Sequence, residues 1–283
     1  MNNLADRLKE MVMKAWKDGF LLAMLAIFVP QKANAVQEWI DITSQYITNY
    51  TFDGNTNQGW EFSWRNGTCN NRVDAMEFWN STFDIHQNLM NLSAGHYKVS
   101  VQSFFRCKDN QNGYQDYLNG SENVTGYLYA GANEKKLVSV YAQSFTENLE
   151  GSCWGYSTGD WWNQTTIYFP NTMESGTRAF KDGYYWNELE FDHDGGDLII
   201  GLRNDEYINN NWCLFDNFKI EYFGEVVPIT KLTITPTILN LLIGDTYQLI
   251  ATITPENATY KTLTWASSDE SIATVDENGV ITE

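Results

Sequence analysis

One aspartate stands among apolar residues near the end of the segment "NWCLFDNFKIEYFG" (210–223). By the two-residue period of a strand, five residues share one face, four of them apolar: Leu214, Asp216, Phe218, Ile220 and Tyr222. Because a buried carboxylate needs a partner and few cations lie nearby in the sequence, we expect Asp216 to bind Ca²⁺, which prefers oxygen ligands. The alternative is that Asp216 only accepts backbone N–H bonds.

A second set of residues suits the binding of sugars. The segment "SCWGYSTGDWWNQ" (152–164) carries Trp154, Tyr156, Trp161 and Trp162 among Gly, Ser and Asp. Sugar C–H faces stack on aromatic rings, while polar neighbours bind the hydroxyl groups. The glycine-rich flanks predict an exposed loop, so we expect these four residues to contact a ligand; the alternative is that they pack and close the end of a β-sandwich.

A polar face of the segment "HYKVSVQSFFR" (96–106) is the second candidate surface. Gln102 and Arg106 alternate with apolar residues, as in a strand with one face buried. We expect them to line a concave sheet surface and to hydrogen-bond a ligand. Here too the alternative is a structural role in packing.

No catalytic constellation is visible, so we predict a protein that is not an enzyme. His86, His96 and His193 lie in no hydrolase or metalloprotease motif. The paired carboxylates of glycoside hydrolases are brought together by the fold rather than by their spacing along the chain. The sequence alone therefore does not exclude such a pair. The net charge of −18 argues against nucleic acid as a partner, because phosphate binding needs clustered Lys and Arg.

The first 35 residues resemble a signal peptide. Arg7, Lys9, Lys14 and Lys17 precede the apolar run 20–29, and Ala33 and Ala35 form a small-x-small cleavage pattern. The run is about half of the roughly 20 residues that a membrane helix needs, although an N-terminal anchor is the alternative. We therefore expect an exported chain that begins near Val36 and is periplasmic, secreted or on the cell surface.

Export makes the four cysteines, Cys69, Cys107, Cys153 and Cys213, candidates for disulfides. Four cysteines allow three complete pairings, and the spacing chooses none of them. The lack of a CxxC pair disfavours zinc. Free buried thiols are the alternative.

Short alternating segments separated by Gly, Asn and Asp fill residues 36–224, and they predict an all-β sandwich or barrel without a long amphipathic helix. After residue 224 the composition changes. Residues 225–283 contain "LTITP", "LLIGDTYQLIATITPENAT" and "LTWASSDESIATVDENGVIT" in that order. This series resembles the bacterial immunoglobulin-like domain of group 2, a small β-sandwich in which Trp265 would be a core residue. The resemblance also implies that closing strands are missing after Glu283.

The first part resembles carbohydrate-binding modules with the galactose-binding-like jelly-roll fold. The matching motifs are "NYTFDGNTNQGW", "QNLMNLSAGHY" and "WCLFDNFKIEYFG". The resemblance implies that the first and last strands lie together and share a structural Ca²⁺, with Asp53 and Asp216 as ligands. The family more often has Glu at the position of Asp53, where this chain has the shorter side chain.

Together these features predict an all-β protein: residues 1–35 a signal peptide, 36–224 a jelly-roll β-sandwich, and 225–283 a small, incomplete immunoglobulin-like β-sandwich. The predicted function is non-catalytic binding of a glycan or polysaccharide by an exported bacterial protein. Two alternatives stay open: a structural or adhesive surface protein with protein partners, and an accessory part of a larger glycoside hydrolase.

Overall fold

The computed structural model describes residues 37–283 except 226, 257, 260 and 262, so the predicted signal peptide lies outside the described residues. Trp39–Gly224 form one compact unit, and Glu225–Glu283 belong to a second. The architecture is all-β with antiparallel sheets, which confirms the predicted fold class.

The first unit contains thirteen strands and three short α-helices among the described residues. The strands are β1 Gln37–Asp41, β2 Glu61–Arg65, β3 Thr68–Arg72, β4 Ala75–Trp79, β5 Thr82–Leu92, β6 Gly95–Arg106, β7 Gly126–Ala130, β8 Asn133–Lys136, β9 Cys153–Thr158, β10 Thr165–Pro170, β11 Trp186–His193, β12 Gly196–Asn204 and β13 Trp212–Glu225. The helices are α1 Thr43–Tyr46, α2 Asn110–Leu118 and α3 Met173–Lys181.

Two sheets form the sandwich. The six-stranded sheet has the order β11-β6-β13-β4-β3, with β1 also paired to β13, and the five-stranded sheet has the order β2-β5-β12-β7-β8. The alternation of apolar and polar residues along these strands directs one set inward, as in β5, where Phe83, Ile85 and Leu89 are buried. These side chains meet Val99 and Val101 of β6 in the main core.

A second core covers the outer face of the six-stranded sheet. Phe104 and Leu214 of this sheet pack with Met173 and Phe180 of α3, together with Phe169 of β10. Hydrophobic residues on both faces of β6 and β13 therefore become buried, and most residues of these two strands are inaccessible to solvent.

Helix α3 was not predicted, although its sequence carries a start signal. Thr172 accepts the Ser175 backbone N–H in a capping box, and Glu174 occupies the first turn, which favours a helix N-terminus. Gly176 allows the helix to approach the sheet: a Cβ there would lie 2.2 Å from Leu214 Cδ2. Helix α2 begins in the same way, because the Asp109 side chain accepts from Asn112 N.

A bulge in β13 corrects the predicted face of this strand. The pairing of β13 with β6 shifts between Asp216 and Lys219, and Asn217 has a φ of 55°. As a result Leu214 lies in the second core, whereas Phe218 and Ile220 lie in the main core. The assignment of these residues to one face was wrong, because a two-residue period fails wherever a strand contains an extra residue.

The four cysteines are free thiols. Cys69 of β3 and Cys213 of β13 both face Phe78 of β4 in register, so one strand separates them. Two strand spacings amount to about 9.5 Å, which exceeds the Cα separation of roughly 7 Å that a disulfide tolerates. Spacing thus excludes a Cys69–Cys213 disulfide, and the four free thiols divide into two that are buried, Cys107 and Cys213, and two that are half-buried, Cys69 and Cys153.

The second unit contains two small sheets. Strands β14 Lys231–Thr235 and β16 Ile250–Thr254 form one, and the other has the order β15-β18-β17, formed by Thr246–Gln248, Val280–Thr282 and Thr274–Val275. Gly279 lies against Trp265: it has a φ of 81°, and a Cβ there would lie 2.7 Å from the indole ring. Trp265 is half-buried in this contact. In the described part of the chain, no helix is long and apolar enough to span a bilayer.

Candidate functional site

The aromatic segment 152–164 forms the first strand and the turn of a β-hairpin, which corrects the predicted loop for Trp154 and Tyr156 but not for Trp161 and Trp162. Strands β9 and β10 pair antiparallel, with Trp154 opposite Phe169 and Tyr156 opposite Ile167. Trp154 stacks on Phe169 with ring centroids 5.9 Å apart and also contacts Tyr114 of α2 at 5.8 Å. Glycine, serine and threonine in this segment suggested a loop, but its ends form a regular antiparallel pair.

Tyr156 also packs inside the protein. Its ring lies 4.7 Å from that of Tyr114, and its hydroxyl accepts a hydrogen bond from Gln115 Nε2 at 3.3 Å. Both Trp154 and Tyr156 are half-buried against the second core. These contacts give the two residues a structural role in this fold, and ligand contact by either stays a prediction.

Trp161 and Trp162 lie at the tip of the hairpin and are among the most exposed aromatic side chains described. Trp161 is 86% exposed and Trp162 is 68% exposed. Their rings make an edge-to-face contact, with centroids 5.2 Å apart and planes at 84°. A turn in which Asn163 N donates to Asp160 O at 2.9 Å holds the pair between the strands. The tip thus presents two indole faces to solvent in different orientations.

Gln102 is buried in a hydrogen-bond network. Its Nε2 donates to the carbonyl oxygens of Phe180 and Tyr184 at 2.7 and 2.9 Å, and its Oε1 accepts from Asn217 Nδ2 at 2.8 Å. The side chain is 3% exposed. It therefore joins α3 to the bulge of β13 and lines no open concave surface.

Arg106 is also enclosed by protein. Its Nη1 donates to Asn171 Oδ1 at 2.8 Å and to Asn110 Oδ1 at 3.2 Å, and its guanidinium lies 5.2 Å from the centroid of the Trp212 ring. Burial lowers the pKa of the guanidinium from its usual value. The second core thus covers the polar face that was expected to line a surface, and contact of Arg106 with a ligand finds no support in its position.

Asp216 lies where the first and last parts of the unit meet. Phe218 N donates to Tyr50 O at 2.8 Å, and the Phe218 ring lies 4.5 Å from that of Trp60. Burial raises the pKa of Asp216 to about 8, and the charges of Asp53 and Asp74 add to this shift. Binding of a cation by Asp53 and Asp216 stays a prediction.

Asp74, in the turn between β3 and β4, is a third carboxylate that the sequence did not reveal. Its Oδ1 accepts from Gly54 N at 2.9 Å, and its own N–H donates to Asn55 Oδ1 at 3.0 Å. Val73 and Asp74 both have positive φ, as a two-residue turn of this hairpin class requires. Val-Asp is not a common sequence for such a turn, which explains why the signal was missed.

Binding of Ca²⁺ at Asp216 stays a prediction. Among the described residues no three His, Cys, Asp or Glu side chains form a metal-binding group. A cation held between Asp53, Asp74 and Asp216 would therefore need backbone or amide oxygens as further ligands, which Ca²⁺ accepts readily.

Comparison with known proteins finds a family match for one segment and partial similarity to several longer proteins. The chain is 41% identical over 126 residues to an uncharacterized protein of Clostridium acetobutylicum, a match that covers 41% of this chain and 28% of that protein. It is 36% identical over 83 residues to an alpha-L-arabinofuranosidase of Bifidobacterium longum subsp. longum, covering 28% of this chain and 8% of that enzyme. The matched part of the chain thus spans 28% and 8% of the lengths of these two relatives.

Among solved structures, the chain is similar to TmCBM61 in complex with beta-1,4-galactotriose, with a TM-score of 0.31, 13% sequence identity, and coverage of 62% of this chain and 96% of that one. Residues 228–282 match the family model of the bacterial Ig-like domain (group 2). The ordered motifs of this stretch predicted this result, and the C-terminal segment is thus a group 2 bacterial Ig-like domain.

Proposed function

We propose that this chain binds a glycan without catalysing a reaction, through the indole rings of Trp161 and Trp162. The observation that carries this proposal is the exposure of the two rings at the tip of a hairpin whose base is packed against the second core. Exposed tryptophan is unfavourable in water, so a protein that presents two adjacent indoles gains by covering them with a ligand.

The chemistry around the tip suits a sugar. An indole face covers the C–H face of a pyranose, and polar groups nearby bind its hydroxyls. Asp160, Asn163 and Gln164 flank the two tryptophans and supply acceptors and donors. The ring planes of Trp161 and Trp162 are nearly perpendicular. The two rings would therefore stack on adjacent sugar units of a bent glycan chain rather than on a flat crystalline polysaccharide surface.

The relatives support a glycan context. Two proteins with which the chain shares sequence are named an alpha-L-arabinofuranosidase and a 3-O-alpha-D-galactosyl-alpha-L-arabinofuranosidase. The matched parts are small fractions of those enzymes, so we infer that this chain has a non-catalytic role, either alone or as an accessory to a hydrolase. We propose further that it is exported and acts outside the cytoplasm, with residues 36–224 as the binding domain and residues 225–283 as a spacer.

We also propose that Ca²⁺ stabilises the binding domain. Asp53, Asp74 and Asp216 would hold the ion, which supplies the positive charge that this acidic cluster lacks. The ion would lie where the first and last parts of the unit meet, and it would stabilise the fold rather than bind the glycan.

A glycan array tests the proposed function. Wild-type protein should bind at least one plant or microbial glycan, and Trp161→Ala and Trp162→Ala should each weaken binding at least about tenfold, because aromatic anchors dominate such interfaces. Trp186→Ala is the matched control, since this indole is 42% exposed on β11. Failure of the wild-type protein to bind any glycan would contradict the proposal and favour a structural or adhesive role.

A further inference from the structure

A cleft of about 800 Å³ lies on the outer face of the five-stranded sheet, the face that no other layer of this unit covers. The strand register explains its position. Glu61, His86, Gly201, Tyr129 and Glu134 form one row across β2, β5, β12, β7 and β8. Since residues in register on adjacent strands point to the same side, this row crosses the outer face.

Gly201 lies in the central strand of the row between His86 and Tyr129, packed so closely on β5 that a Cβ there would lie 2.1 Å from the Ile85 carbonyl oxygen. The cleft itself is lined by His86, Tyr129 and Glu134 of this row, together with Ile199 and Arg203 of β12. The volume falls within the range of roughly 300–1,000 Å³ that is typical of small-molecule sites.

Polar groups on the walls are held in place by one another. Tyr129 Oη donates to Asp84 Oδ2 at 3.0 Å, and His86 Nδ1 lies 2.5 Å from Asp84 Oδ1. Since a carboxylate only accepts, Nδ1 carries the proton of this bond, and Nε2 remains directed to other partners. Asp84 thus fixes the orientation of His86 and Tyr129, two side chains that line the cleft.

The charge of the cleft restricts its ligand. Asp84, Glu134 and Asp197 line it, whereas Arg203 is the one Lys or Arg among its lining residues in the described chain. Arg203 is already paired with Glu134 and with Asp205. An anionic ligand would meet repulsion without a free cation to offset it, while hydroxyl groups find carboxylate acceptors and the imidazole.

We propose that this cleft is a second carbohydrate site, separate from the hairpin tip, and that it takes neutral sugar units and rejects acidic ones. A sugar ring in the cleft would pack its C–H face against the Tyr129 ring and Ile199. Its hydroxyls would donate to the acidic side chains that line the cleft. The site lies on rigid strands, whereas the tip lies on a hairpin turn.

The test uses the double variant Trp161→Ala/Trp162→Ala, which removes both indole rings from the hairpin tip and so abolishes the first proposed site. Titrations by calorimetry use three neutral probes, β-1,4-galactotriose, cellotriose and xylotriose, and one acidic probe, trigalacturonate. At least one neutral probe should bind the double variant, and trigalacturonate should bind at least tenfold more weakly. Adding Ile199→Trp, which fills the cleft from an exposed position, should weaken binding of the neutral probe at least tenfold.

Met90→Trp is the matched control, because Met90 is an exposed residue of the same sheet outside the cleft lining. It should leave binding unchanged. Thermal unfolding establishes that both tryptophan variants fold, and an NMR shift of the His86 imidazole on addition of sugar gives a readout that needs no variant of the cleft.

The outcomes separate this inference from the proposed function. If the tip variant binds as tightly as the wild-type protein and Ile199→Trp abolishes binding, the cleft is supported and the tip is not. The inference is overturned if no neutral probe binds the tip variant, if Ile199→Trp binds like Met90→Trp, or if trigalacturonate binds as well as the neutral probes.

Discussion

The side-chain amide of Asn217 donates to Gln102 Oε1 at 2.8 Å, across the bulge that interrupts the pairing of β13 with β6. Gln102 in turn donates to two carbonyl oxygens at the end of α3 and just beyond it. One residue in the left-handed region thus connects the strand that carries Asp216 to the layer that forms the second core.

Replacement of Asn217 should therefore have two separable costs. Asn217→Gly removes the hydrogen bonds and leaves Gln102 Oε1 without this donor, which we expect to lower the free energy of unfolding by about 1–3 kcal/mol. Asn217→Ala should cost a further ~1–2 kcal/mol, because alanine is strained at a φ of 55°. Urea unfolding measures both; equal stability of the two variants would show that backbone strain plays no part.

Calcium should stabilise the protein through Asp216. We expect a higher Tm in millimolar CaCl₂ than in EDTA. A ligand present at 1,000 times its Kd adds about 4 kcal/mol to the free energy of unfolding. Asp216→Asn should abolish the difference. Asp192→Asn, at an exposed carboxylate on β11, should preserve it. An unchanged wild-type Tm between CaCl₂ and EDTA would refute the proposed site.

The same carboxylate should make the metal-free protein less stable as the pH rises. The pKa of Asp216 is raised from 3.8 to about 8 in the folded state. Between these values the folded chain holds a proton that the unfolded chain has lost, so stability falls as pH increases from about 4 to about 8 and then levels off. In EDTA, Asp216→Asn should flatten this part of the pH profile, measured by chemical unfolding; an unaltered slope would assign the effect to other groups.

Trp154 and Trp161 should differ in their contribution to stability although they lie in one hairpin. Trp154→Ala removes a ring packed on Tyr114 and Phe169, and we expect a loss of about 3 kcal/mol in the free energy of unfolding. Trp161→Ala removes an 86% exposed ring and should leave stability within about 0.5 kcal/mol. Similar losses for both variants would mean that the tip also packs against the protein.

The four thiols should react slowly with alkylating reagents in the native protein. Burial, together with the charge of Glu77, raises the pKa of Cys69 to about 11, and burial raises that of Cys213 to about 12. Burial also raises the pKa of Cys107 and Cys153, so little reactive thiolate forms at pH 8. Mass spectrometry should find four labels only after unfolding, and a disulfide-linked peptide would contradict this expectation.

Local pattern in the sequence was sufficient for much of the fold. Alternation in segments such as 96–106 identified the strands, and the ordered motifs after residue 224 identified the bacterial Ig-like domain. The sharing of a cation by Asp53 and Asp216, which depended on a family resemblance, stays a prediction.

Other features depend on tertiary contacts that no local pattern encodes. Gln102 and Arg106 alternate as surface residues do, but the helices and hairpin between residues 107 and 185 cover them. The sheet-face cleft combines residues from β5, β7 and β12 whose register follows from pairing across long sequence separations. Trp154 and Trp161 cannot be distinguished by composition, because their exposure is set by the hairpin register and its turn.

The bulge at Asn217 also determines how β13 tolerates changes in length. Two stretches of one strand are in opposite phase on either side of this residue, with Leu214 directed to one core and Phe218 to the other. Deleting Asn217 would remove the extra residue and place Phe218 and Ile220 in one unbroken two-residue period with Phe215, still facing the main core. The bulge is therefore dispensable for the alternation of β13, and what the extra residue adds is the link from Asn217 to Gln102.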